Sequence, residues 1–271
     1  MFKHITLTAA ASLALLAPSF AQEAAAPVAP AEQEQELAPG LKQLLKNVPD
    51  ILDKKWKGAM VVTGEEAESG NTFKVDLNVH YQDLKHFKAD VKINAVEKAM
   101  DMEMNLDLSI LCDGEFVYVD GTGLEEMGMP FPMPVKVKMD VLQQAMLMGV
   151  QAQEGEDANL KDLVREGMKE MFGELNVKEE GSTEDTKRYV MENEDGKGHV
   201  VFNAKSWIPQ EMKVEAEGNV ITMKTTSSGL VEEFPEGTFK FTVPEGKTVT
   251  DLTAMLQMQL PQEGGDEDLE F

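Results

Sequence analysis

Met100-Asp101-Met102-Glu103-Met104-Asn105-Leu106-Asp107-Leu108-Ser109-Ile110-Leu111-Cys112 decides how the chain folds. Met100, Met102, Met104, Leu106, Leu108, Ile110 and Cys112 fall on one side of an extended chain. Asp101, Glu103, Asn105, Asp107 and Ser109 fall on the other. Side chains of a strand alternate between faces, so seven alternations without a slip describe a strand with one buried and one wet face. Asp113-Gly114 follows as a tight turn, and Glu115 to Val119 is expected to return as the antiparallel partner.

The same period runs upstream. Phe73, Val75, Leu77, Val79 and Tyr81 alternate with Lys74, Asp76, Asn78 and His80; Phe87, Ala89, Val91, Ile93 and Ala95 alternate with Lys88, Asp90, Lys92 and Asn94. Connections this short suit an antiparallel meander, because parallel neighbours need long crossovers. Gly128 to Pro134, with its alternating prolines, breaks the ladder, and Val135, Val137 and Met139 make a short extended piece. Further strands are expected around Leu175 to Lys178, Lys187 to Glu192, His199 to Asn203, Gln210 to Ala216, Val220 to Thr226 and Phe239 to Val243, roughly ten in all.

Three segments carry a helical period instead. Leu41, Leu44, Leu45, Val48, Ile51 and Leu52 recur every three or four residues, with Pro49 placed to interrupt them. Val141 to Val150 has the composition of a buried helix. Leu160, Leu163, Val164, Met168, Met171, Phe172 and Leu175 form one apolar stripe, with Asp157 or Asn159 as a cap.

The ends differ from this middle. Met1 to His4 is a basic start, Ile5 to Ala17 an apolar run short of the roughly 18 residues a spanning helix needs, and Ser19-Phe20-Ala21 a cleavage-site pattern. Residues 1–21 are therefore expected to be a signal peptide, 22–40 a flexible Ala/Pro/Glu linker, 41–260 a single domain and 261–271 an acidic tail. Export places the protein in the periplasm or outside the cell, with no cysteine after the cleavage site to carry a lipid. Cys112 is the only cysteine, so no internal disulfide forms.

The net charge is −24, and removing Lys3 with the leader makes it about −25. Such a chain is expected to avoid nucleic acid and anionic headgroups. Nothing resembles a hydrolytic or nucleotide-binding motif: there is no Gly-x-Ser-x-Gly and no glycine-rich phosphate loop, and His4, His80, His86 and His199 lack spaced partners. Alternating acids such as Asp101, Glu103 and Asp107 read as a wet face. No enzyme, cofactor or metal is expected.

Methionine is the unusual resource, since nine of 18 lie between Met100 and Met148. Three readings stand side by side. The thioethers fill gaps in a core; or they form an adaptable surface that receives acyl chains; or Met100, Met102 and Met104, with Met127, Met129 and Cys112, offer soft sulfur to Cu(I).

The C-terminal half resembles the periplasmic lipoprotein carrier superfamily (LolA/LolB-like). Trp207-Ile208-Pro209 leading into Met212 to Ala216 and Val220 to Thr226, and then Phe239 to Gly246, are similar to that family's strand-turn-strand passage and its closing phenylalanine-rich strand. Asp113-Gly114 through Tyr118 is similar to its hairpin. The family's early-strand arginine that ties lid to barrel has no counterpart, because only Arg165 and Arg188 occur. The resemblance implies an α+β fold: an antiparallel β-sheet curved into an incomplete barrel, covered on its concave apolar face by about three helices. It also implies a non-enzymatic carrier or sensor that holds acyl chains between sheet and helices.

The cavity lining is expected from Phe73, Val75, Leu77, Val91, Ile93, Met102, Met104, Leu106, Leu108, Leu142, Met146, Met168 and Phe172. The partner is a lipid or lipidated protein, taken up by a monomer, with a transient envelope protein as a further partner. The rival expectation is an acidic envelope interaction module whose core is filled by its own side chains.

Overall fold

The computed structural model describes residues 37–99, 101–123, 133–145, 160–173, 175–194, 196–258 and 260. Helix α1 (Pro39–Asn47) opens on a proline, whose fixed φ suits a first turn. Pro49 then removes an amide donor, and the chain tightens into a 3-10 turn, Val48–Asp53. Six strands follow: β1 (Trp56–Glu65), β2 (Thr72–Asp83), β3 (His86–Glu97), β4 (Met102–Asp113), β5 (Phe116–Thr122) and β6 (Val135–Lys138). Residues 139–145 are helical (α2), and the rest of the helix expected to Val150 lies outside the described residues.

Helix α3 (Leu160–Phe172) leads to a second meander: β7 (Asn176–Glu179), β8 (Thr186–Glu192), β9 (Gly196–Asn203), β10 (Pro209–Ala216) and β11 (Asn219–Leu230). A two-residue β12 (Thr250–Asp251) and a short helix α4 (Thr253–Gln257) end the fold. The described residues thus hold twelve strands where the periodicity predicts about ten, and four helices where about three were expected.

All twelve strands form one sheet in the order β12-β6-β5-β4-β3-β2-β1-β11-β10-β9-β8-β7. Every pairing is antiparallel except β12 with β6. The two meanders are joined by their outermost members, β1 and β11, which pair from Trp56 with Leu230 to Glu65 with Val220. The two ends of the order, β12 and β7, do not pair, so the barrel is incomplete as expected.

Local chemistry sets the hairpins. At the β4–β5 turn Asp113 Oδ1 accepts from the amides of Glu115 (3.0 Å) and Phe116 (2.9 Å), and Gly114 takes a φ of 103°. At the β10–β11 turn Glu217 and Gly218 both have positive φ, 50° and 79°, the pattern whose twist matches that of the flanking strands.

One expected strand is absent. Phe239 to Val243 carries no strand; it belongs to a strap, residues 231–249, that joins β11 to β12. The strap crosses the face of the sheet opposite the core. The Val231 amide donates to the Lys55 carbonyl, Phe234 packs on His80, Phe239 on His86, and Phe241 stacks on Tyr118 at 4.4 Å. Lys247 reaches Asp120 at 3.1 Å. The alternation of Phe239, Lys240 and Phe241 is real, but a period of two reports which side chains face a surface, not whether the backbone pairs. Leu111, the one apolar residue on the polar side of β4, is buried here, directly across from Tyr118.

His80 gives the strap a pH dependence. Desolvation, and then repulsion from Lys88, hold its imidazole below the ordinary value of 6.5. The unfolded chain therefore binds this proton first, and as pH falls through about 6.5 the folded state loses stability until the lower folded value is passed. Urea midpoints of wild type should drop more between pH 7 and pH 5 than those of His80→Gln. Equal drops would remove His80 from the account.

Candidate functional site

The apolar face of the sheet is covered in two parcels. Under α1 and α3, Met60, Val75, Leu77 and Val91 of β1 to β3 meet Leu41 and Leu44 of α1 and Met168 and Phe172 of α3. Val177, Tyr189, Met191, Val200 and Phe202 close this parcel from the second meander. Leu41, Leu44, Val177 and Tyr189 are completely buried. Helix α1 sits against β7 so closely that a Cβ on Gly40 would lie 2.5 Å from the Val177 carbonyl oxygen.

Two tyrosines fasten this cover to the sheet. Tyr81 of β2 donates its hydroxyl to the Leu52 carbonyl at 3.1 Å, and Tyr189 of β8 donates to Gln43 Oε1 at 2.9 Å. Burial pushes both phenols up, Tyr189 to about 12, which keeps them donors at any physiological pH. The expected list of site residues omits both. The available signal was a phenol among apolar inner-face residues, since a buried tyrosine hydroxyl needs an acceptor. Arg165 of α3 donates to the Leu45 carbonyl at 3.4 Å and pairs with Asp162, while Lys161 pairs with Asp53, so α3 is tied to α1 and its 3-10 extension.

The second parcel lies near the β4–β5 turn, where Cys112 and Val117 meet Met139 and Leu142 of α2, with Leu256 of α4 packed against them. Cys112 is fully buried, and desolvation pushes its thiol up to about 11. It stands eight residues along the strand from Met104, about 27 Å at the rise of a β-strand, so it joins no sulfur cluster with Met102 and Met104. Among the described residues no group of three or more His, Cys, Asp or Glu side chains converges.

Between the parcels runs a strip of the same face that is only half covered. Ile93, Met104, Leu108 and Ile110 are partly buried, Leu106 among them is buried, and Met102 at the strip's outer end is 53 % exposed. The expected lining residues therefore separate into groups. Phe73, Val75, Leu77, Val91, Met168 and Phe172 lie together in the first parcel; Ile93, Met104 and Leu108 pack along its margin; Leu142 belongs to the second parcel. Leu106 is buried on β4, Met102 is exposed, and Met146 lies outside the described residues, as does Met100.

One polar group interrupts this surface. Glu97 ends β3 and is paired directly with Met102, on the parity shared by Ala89, Val91, Ile93 and Ala95. Its Oε2 is buried without a hydrogen-bond partner, as is Trp56 Nε1.

Two surface clefts lie elsewhere. One of about 690 Å³ is formed by the β8–β9 and β10–β11 hairpin ends, with Glu192, Glu194, Lys197, Glu215 and Glu217 among its walls. The other, about 530 Å³, lies under the strap between Gln82 and residues 234–240. Neither includes a residue of the expected lining.

Several solved structures share this outline. The chain is similar to a LolA superfamily protein from Nitrosomonas europaea. The TM-score is 0.29 at 12% identity over 75% of this chain and 99% of that one. An uncharacterized conserved protein from Thermus thermophilus gives 0.37 at 10% over 78% and 98%. The lipoprotein LppX of Mycobacterium tuberculosis gives 0.32 at 10% over 72% and 98%. No family model and no curated protein matches the chain. At these values the likeness is one of outline, and any functional reading rests on the apolar face itself. Among the described residues no helix is long and apolar enough to cross a membrane.

Proposed function

We propose that this protein is exported behind a signal peptide ending at Ala21 and binds a lipid or the acyl chains of a lipidated protein. The chains lie along the strip between the two covered parcels. The carrying observation is that Ile93, Met104, Leu108 and Ile110 lie on this face at partial burial, on either side of a buried Leu106, and that the face ends at an exposed Met102. Strand alternation keeps charges other than Glu97 off this surface, and the thioethers of Met102 and Met104 adapt to chains of different shape. The action is burial and release, without bond chemistry.

An acyl chain contributes about 0.8 kcal/mol for each buried CH₂, so about ten methylenes exceed the entropy lost on binding. Native mass spectrometry after mild purification is expected to find bound lipid, and a fluorescent acyl-chain probe with an uncharged head should bind. Leu108→Arg, which sets a charge in the middle of the strip, is expected to weaken probe binding at least tenfold. Repeated absence of bound lipid together with no probe uptake overturns the proposal.

A second reading has its own observation. Val75, Leu77 and Val91 are at most 4 % exposed, so this part of the expected lining is filled by the protein's own side chains. If the strip takes no guest, the strongly acidic surface becomes the working part and docks a basic envelope protein. Binding of that kind weakens steeply with added salt, whereas acyl-chain binding does not.

A further inference from the structure

Glu97 stands where the strip meets solvent. It is directly across β3–β4 from Met102, one position beyond the pair formed by Ala95 and Met104. Asp101, Glu103 and Asp107 on the same hairpin are exposed, and Asp107 pairs with Lys92 at 2.8 Å. Glu97 differs from them, because its Oε2 is cut off from water and receives no donor. Leaving a carboxylate oxygen in that condition is costly, and folded chains as a rule give such an oxygen a partner. The adjacent Lys98 does not supply one: its amide donates to Asn71 Oδ1, and its Nζ lies beside Gly70 in the neighbouring turn.

We propose that Glu97 is the headgroup end of the acyl site and that the guest is an amphiphile bearing an ammonium group. The inference rests on the strip being the acyl site and adds the class of headgroup. The stretch of β4 from Met104 to Ile110 is about 20 Å long, with Leu106 buried within it, and the polar end of a hydrocarbon chain laid over the partly covered Met104, Leu108 and Ile110 falls beside Glu97. An ammonium N–H gives the orphaned oxygen a charge-assisted hydrogen bond, roughly twice as strong as a neutral one. The same carboxylate repels a fatty-acid or phosphate head.

Probe displacement with dodecylamine, dodecanol and dodecanoate, below their micelle concentrations and at fixed ionic strength, tests this on the full chain. Wild type is expected to bind the amine about tenfold or more tightly than the alcohol, and the carboxylate most weakly. Glu97→Gln should bring the amine-to-alcohol ratio to within about twofold while the alcohol binds as before. Glu103→Gln removes the same charge from the opposite, exposed face and should leave the ratio intact. A ratio that survives in Glu97→Gln, or falls equally in Glu103→Gln, overturns the headgroup assignment while the acyl site stands. If none of the three binds, the acyl site and its headgroup end fall together.

Discussion

Leu44→Ala is expected to lower the free energy of unfolding by about 2–5 kcal/mol, measured by urea denaturation at neutral pH. Leu44 is completely buried on α1, inside the parcel that joins both meanders to the helices. Removing its side chain costs the transfer of three carbons plus the cavity they leave, and the surroundings cannot collapse freely. Tyr189 holds the neighbouring Gln43 from the sheet side, and Gly40 already touches the β7 backbone. Tyr189→Phe removes one hydrogen bond and leaves the ring, so about 1 kcal/mol is expected there. A Leu44→Ala loss below 1 kcal/mol would mean that α1 does not anchor the fold and that the cover over the sheet is loose.

The strap provides the second large effect. Replacing Phe239 and Phe241 together by alanine removes the contacts with His86 and Tyr118, and a loss of about 2–3 kcal/mol is expected. The consequence should be local before it is global. β12 meets β6 in a short pairing, through the Thr250 amide on the Pro134 carbonyl at 3.0 Å and the Leu252 amide on the Lys136 carbonyl at 2.9 Å, beside the Lys136–Asp251 ion pair. Those two amides should exchange with solvent much faster in the double variant, while amides in the β1–β2 ladder keep their protection. Uniform acceleration across the sheet would show that the strap is part of the global unit instead of a fastening for one edge.

The two effects locate the supports on either side of the strip. α1 and α3 secure one margin; α2, which follows β6 directly, and α4, reached through the strap and β12, secure the other. A guest chain between them would contact the margins of both parcels, so loosening either should change uptake as well as stability.

Much of this was legible in the residues. The faces of β2, β3 and β4 follow from alternation alone, since Phe73 to Tyr81 and Met102 to Cys112 place their apolar atoms on the side where the core forms. The stripe Leu41, Leu44, Leu45 and Val48 marked α1, and Asp113-Gly114 marked the β4–β5 turn. Phe239 to Val243 misled because its alternation faces the outer surface of the sheet without joining a ladder. The lining residues could not be sorted by pattern either: Val75 and Met104 have equal claims in the sequence, yet one is sealed under a helix and the other lies at the margin.

Local composition by itself determined which atoms had to leave water and at what period, because that depends only on neighbours along the chain. The tertiary structure alone decided that β1 pairs with β11, that Tyr81 and Tyr189 fasten the helical cover, and that Glu97 ends the apolar strip with an oxygen lacking a donor. Those facts arise from contacts between segments 29 to more than a hundred residues apart, or from the absence of a contact, and no local period encodes either.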